Sequence, residues 1–136
     1  MKTKFLIATC IASLACILPS LADDSALAKQ MEVMNDAYKA MRKETDPAKG
    51  AALAREAQDS MVKAIVEVPE LVKAMPEGPD KAKASAEYRK MMGNLIGTLA
   101  EMELAFLNND MEKVKTIVEQ LRESKKQGHD KFMEEE

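Results

Sequence analysis

His129 is the only histidine among the chain's 136 residues. Catalytic arrangements that need two imidazoles, and zinc sites rich in histidine, are therefore excluded. An imidazole acting alone must share a coordination site with a different donor, and the abundant candidate is methionine, of which the chain has eleven. An imidazole and a thioether form an axial pair for haem iron, and the softer sulfur favours the ferrous state and raises the reduction potential. Iron ligated in this way keeps no open position, so electron transfer is its natural chemistry. Structural alternatives stand beside this reading. A lone His near a helix C-terminus is favoured by the helix dipole alone. A methionine on a buried seam is ordinary core filler, and an exported methionine-rich chain can also serve copper.

Other catalytic motifs are missing. There is no Gly-rich phosphate loop, no Gly-x-Ser-x-Gly and no His-Glu-x-x-His. Carboxylates spaced like Glu101 with Glu103, or Glu119 with Glu123, read as charges on solvated helix surfaces. Both cysteines, Cys10 and Cys16, fall in a segment where Lys2 and Lys4 precede an apolar run from Phe5 to Leu18, closed by Pro19-Ser20-Leu21-Ala22. This is the anatomy of a secretory signal peptide, with an apolar run short of the ~20 residues of a spanning helix. The small residues Ser20 and Ala22 predict cleavage before Asp23 and export of the remaining chain. Residues 23–136 then hold no cysteine, so disulfides, thiolate metal sites and the Cys-x-x-Cys-His of covalent haem attachment are all excluded. They carry 18 basic against 23 acidic residues, a net charge of −5. That balance removes the electrostatic case for nucleic acid and predicts a basic docking face on any redox partner, attracted less as salt rises. The reading is of a monomer with no membrane insertion after signal cleavage.

The elements that must position His129 are helices, since the chain is 46% hydrophobic but only 4% aromatic, with five Gly and five Pro. Leu27, Met31, Met34, Tyr38 and Met41 recur at fours and threes and predict a first helix over 24–44. Thr45-Asp46-Pro47 breaks it and starts a second over 47–67, with Asp46 as N-cap and Leu53, Ala57, Met61, Ala64, Ile65 and Val68 inward. Gly50 weakens its first turn slightly. Pro69, Pro76, Gly78 and Pro79 make a long connection, with room for one short turn over 70–75. Tyr88, Met91, Met92, Leu95, Leu99, Met102 and Phe106 predict a third helix over 80–107. Asn108-Asn109-Asp110 turns the chain into a fourth, over 110–133, led by Met111, Val114, Ile117, Val118 and Leu121. The fold class expected is all-α, an antiparallel up-down-up-down four-helix bundle in one domain, residues 23–136. The acidic end, Glu134–Glu136, should fray because carboxylates oppose the helix dipole.

On a helical wheel with Leu121 at zero, Val114 and Phe132 fall near about +20° and His129 near about +80°, at the edge of the buried stripe. Between Leu121 and Phe132 that stripe carries Ser124, Lys125 and Gly128, so this end of the helix lacks side-chain volume. His129 lies about 10 Å from the C-terminus, and Met31 about 12 Å from the start of the exported chain. Antiparallel neighbours thus present a thioether and an imidazole in one layer. Met34, one turn deeper, competes with Met31. Met91, Met92 and Met102 read as core.

These residues resemble the soluble cytochrome b-562 family of periplasmic four-helix haem proteins over the whole exported chain. Gln30-Met31-Glu32-Val33-Met34-Asn35-Asp36 looks like the family's Asn-Met-Glu-x-Leu-Asn-Asp, in which the Met is an axial ligand. Glu119-Gln120-Leu121, and later His129-Asp130-Lys131-Phe132, are similar to the family's Glu-Gln-Leu and ligand-bearing His-Gln-Lys-Tyr. Tyr88-Arg89 with Leu95-Ile96-Gly97 resembles the start of its third helix. The resemblance implies one non-covalent haem b held between Met31 and His129. Tyr88 stands where the family has a haem-contacting Phe, and Met92 replaces a second aromatic at the haem wall. Lys125 replaces an Arg and could neutralise a propionate, while Gly128 and Met133 replace Tyr and Arg. The activity implied is electron carriage rather than enzymatic turnover. The rival reading is a haem-free exported bundle that buffers copper or acts as a chaperone-like binding protein.

Overall fold

A computed structural model of the chain describes residues 25–133. The expected signal segment, residues 1–22, and the acidic tail, Glu134–Glu136, lie outside them. The described residues form five α-helices and no strand: α1 Ala26–Met41, α2 Pro47–Ala64, α3 Glu70–Lys73, α4 Pro79–Leu107 and α5 Met111–Phe132. The four long ones are those expected, and α3 is the short turn inside the proline-rich connection.

Side-chain oxygens start three of the helices by accepting from amide groups that have no partner within the helix. Ser25 Oγ accepts from the Ala28 amide at 3.0 Å, Asp46 Oδ1 from Lys49 at 2.9 Å and Asp110 Oδ1 from Lys113 at 3.0 Å. Pro47 occupies the first turn of α2, where its missing amide hydrogen costs nothing. Gly78 enters α4 at φ 154°, a conformation closed to residues with a Cβ, and Pro79 follows it into the first turn. Asn109 takes the left-handed conformation, φ 54°, between α4 and α5.

Two helices end earlier than periodicity suggests. α1 stops at Met41 rather than residue 44, because Glu44 folds back and accepts from the amides of Thr45 at 2.9 Å and Asp46 at 2.8 Å. α2 stops at Ala64 rather than residue 67, and the Tyr88 hydroxyl donates to the Ala64 carbonyl at 2.8 Å.

The core is built from Met41, Met61, Met92, Leu99, Met102, Phe106, Ile117 and Leu121, all fully buried, with Tyr88, Val114 and Phe132 beside them. α2 departs from expectation. Its inward face is Gly50, Ala51, Ala54, Ser60 and the expected Ala57, Met61 and Ala64, whereas Leu53 lies half-buried at its edge and Ile65 and Val68, also half-buried, follow its end. Small side chains let α1 and α4 pack closely along it, and larger ones seal the seams. Partners along α2 and α4 run in opposite senses: Gly50 meets Phe106, Arg55 bonds Glu103 at 2.6 Å, Gln58 bonds Glu103 at 2.6 Å and Ala64 meets Tyr88. Between α4 and α5 the partners are Glu87 with Lys131 at 2.7 Å, Tyr88 with Phe132, and Met91 over Gly128. α1 thus packs along α2, α2 along α4 and α4 along α5, while α1 and α5 make no backbone contact of comparable extent.

Candidate functional site

Met31 sits in the second turn of α1, half-buried against the edge of the core, with Leu27 and Met34 on the same seam. The Ser25 cap fixes where α1 begins and so how far Met31 stands from that end. His129 lies in the last turn of α5 and is exposed, and its backbone carbonyl accepts the Met133 amide at 3.0 Å. A basic group there is favoured by the α5 dipole.

One side-chain bond spans the α1–α5 flank: Lys125 Nζ donates to Asn35 Oδ1 at 2.8 Å. Its position matters more than its strength. Met31 precedes Asn35 by four residues and His129 follows Lys125 by four. A step of four residues moves about 6 Å along a helix and turns about 40°, so each donor stands on nearly the same face as its bridging neighbour.

Tyr88 and Met92 from α4 are 3% and 0% exposed, inside the core on one helical stripe. The Tyr88 ring meets Phe132 edge-on, centroids 5.5 Å apart at 78°, a favourable aromatic geometry. Burial, with some help from Glu67, pushes the Tyr88 hydroxyl up to about 12, so it stays a neutral donor to Ala64.

The expected shortage of volume near Gly128 is met in part from α4. A Cβ at Gly128 would lie 3.2 Å from Met91 Cε, so the half-buried Met91 covers that position. Reading α5 alone missed this filling, and it missed Asn35 as the partner of Lys125. Phe132 was legible, since it shares the wheel position of Val114. Met41 of α1, Met61 of α2, and Met92 and Met102 of α4 are inside the core, as packing residues. Among the described residues no group of three or more His, Cys, Asp or Glu side chains could hold a metal ion. No described helix is long and apolar enough to cross a membrane.

The family model for Cytochrome b562 matches residues 26–133. No curated protein and no solved structure matches the chain.

Proposed function

The chain belongs to the cytochrome b562 family, whose members are haem-binding electron-transfer proteins, and from that premise we propose that it is a periplasmic single-electron carrier holding one non-covalent haem b between Met31 and His129. Residues 1–22 direct export and are removed, and the remaining chain acts as a monomer. Its helices α1, α2, α4 and α5 are read as an antiparallel up-down-up-down bundle. Support for that topology comes from the α2–α4 and α4–α5 partners, which descend along one helix as they ascend along the other.

The observation that carries the ligand assignment is the Asn35–Lys125 bond. In an antiparallel pair, moving four residues back from Asn35 and four on from Lys125 leads to the same layer. Met31 and His129 then face each other across the flank where α1 and α5 pack least. Met34 lies one residue from Asn35, about 100° around α1, and has no such counterpart.

The residues present fit the group. A half-buried thioether and an exposed imidazole supply one soft and one borderline donor. Tyr88 and Met92 wall the site from below and keep water out, while Lys125, released from Asn35, neutralises a propionate. The absence of cysteine in residues 23–136 suits a haem held by coordination and packing alone. When bound, the haem supplies one-electron chemistry at its iron.

Titrating haem into the exported chain, with oxidised and reduced spectra, tests the reading. One equivalent should bind as six-coordinate low-spin haem. His129→Ala should abolish that form, and Met31→Ala should leave a weaker five-coordinate or water-bound one. Parent spectra in both variants would refute the ligand pair. No saturable binding would refute the carrier reading and make copper(I) the next ligand to try.

A further inference from the structure

The acid excess that sets the net charge does not lie in the helices. Residues 25–133 carry 18 basic and 18 acidic side chains, and the charge of −5 on the exported chain falls on Asp23, Asp24 and Glu134–Glu136. Within this neutral body one flank is cationic. Lys83, Glu87 and Lys90 follow one another at four and three along one stripe of α4, and Lys131 from α5 reaches Glu87 at 2.7 Å. The Lys131 hydrogen bond holds the Glu87 carboxyl below its ordinary 4.5, and Lys83 and Lys90 push the same way. One carboxylate therefore answers three ammonium groups. Neither Lys83 nor Lys90 has an ion-pair partner among the described residues.

Beside this stripe, between α4 and α5, lies an open cleft of about 310 Å³ whose lining includes Lys90, Lys131, Met91 and Phe132. Its rim is charged and part of its floor is apolar. Phe132 touches Tyr88, so an occupant of the cleft is one aromatic layer from the site assigned to the haem.

We propose that the α4–α5 cleft docks the redox partner protein through an acidic patch centred on an apolar side chain, with carboxylates meeting Lys83, Lys90 and Lys131 and the apolar group covering Met91 and Phe132. The partner's redox role rests on the carrier reading, but the surface itself needs no haem. Charge selects the occupant. The three lysines with Glu87 and with Asp80, which precedes Lys83 by three on the same stripe, sum to +1, and a Debye length of about 8 Å at physiological salt makes the charges around the cleft count for more there than those elsewhere on the helices. The partner face is thus opposite in sign to the one that net charge suggests. The competing occupant is the chain's own Glu134–Glu136, which begins two residues after Phe132.

The test follows amide shifts of the isotope-labelled, haem-free chain during titration with polyglutamate at low salt. Saturable shifts confined to residues 83–91 and 127–133 are expected, lost in half-molar salt and not produced by polylysine. The Lys83→Glu, Lys90→Glu double variant, with helicity unchanged, should weaken binding at least about ten-fold. Shifts spread over other lysines such as Lys113 and Lys115, or unaltered binding by the double variant, would overturn the proposal. Binding that appears only after residues 134–136 are removed would overturn it too, by assigning the cleft to the tail. Haem binding without docking overturns the cleft alone, and docking without haem overturns the carrier reading alone.

Discussion

The two ends of the bundle are built differently. At the end with the loops 42–46 and 108–110, Gly50 has no side chain because the ring of Phe106 lies against its backbone, and a Cβ there would overlap that ring. Met41, Ala54, Met102 and Val114 are buried at the same end. Arg55 and Gln58 bond to Glu103 across its surface and hold that carboxyl below the ordinary range. At the other end Met31 is half-buried, His129 is exposed, and Gly128 is covered only by a flexible methionine. Packing at the closed end fixes the helices, whereas at the open end Met31 and His129 stand outside the fully buried core and the α1–α5 flank is spanned by the Asn35–Lys125 bond.

The comparison breaks first on large core truncations. Phe106→Ala should cost about 3–5 kcal/mol in urea unfolding of the haem-free chain, as a fully buried aromatic does. Met31→Ala should cost less than about 2 kcal/mol, because its thioether is only partly withdrawn from water. Equal losses would mean that the two ends are equally packed.

The glycines give a finer version. Gly50→Ala should destabilise by about 1–3 kcal/mol, since an immobile ring stands where the methyl would go. Gly128→Ala should be neutral or stabilise by up to about 1 kcal/mol, because the Met91 methyl can move aside and alanine favours the helix. Urea midpoints of the two variants read the sign directly.

These pairs also show what the sequence carries and what it does not. Apolar residues at threes and fours gave the four long helices, and Asp46-Pro47 and Asp110 gave two of their starts. The ends of α1 and α2 were misplaced because each is set by a residue that periodicity cannot see, Glu44 turning back in one case and Tyr88 donating from another helix in the other. The inward face of α2 is legible in part: Ala57, Met61 and Ala64 are buried as expected, with Gly50, Ala51, Ala54 and Ser60 beside them. Hydropathy ranks Leu53, Ile65 and Val68 above alanine, but close packing against α1 and α4 favours small side chains around Met61, and Ile65 and Val68 lie beyond the helix end at Ala64. Tyr88 and Met92 could be placed from their own helix. Asn35 with Lys125, Gly50 with Phe106 and Gly128 with Met91 depend on the register between helices, which a single helix does not encode.

Tyr88 joins the two ends of this argument, since it is rigidly held yet lines the open end. Its hydroxyl is pushed from 10.0 up to about 12 by burial. The folded chain therefore holds this proton more tightly than the unfolded chain, and stability present below pH 10 is lost as pH rises toward about 12. Tyr88→Phe should cost about 1 kcal/mol at neutral pH, for the lost bond to Ala64, and should make the alkaline fall shallower. A phenolate signal from Tyr88 appearing at pH 10 in the folded chain would show that the open end admits water to its wall.

The smallest effect concerns the polar link across the open flank. An exposed hydrogen bond contributes little to stability, so Asn35→Ala and Lys125→Gln should leave the urea midpoint of the haem-free chain where it was. Haem affinity separates the two partners. If the bond reports a register already fixed by the closed end, losing Asn35 changes haem affinity by less than about two-fold, and frees Lys125 for a propionate. Losing the charge of Lys125 should weaken haem by about three- to ten-fold, or roughly 0.6–1.4 kcal/mol. Equal weakening by both variants would mean that the bond imposes the register itself, and the open end would then position its own ligands instead of inheriting their positions from the closed one.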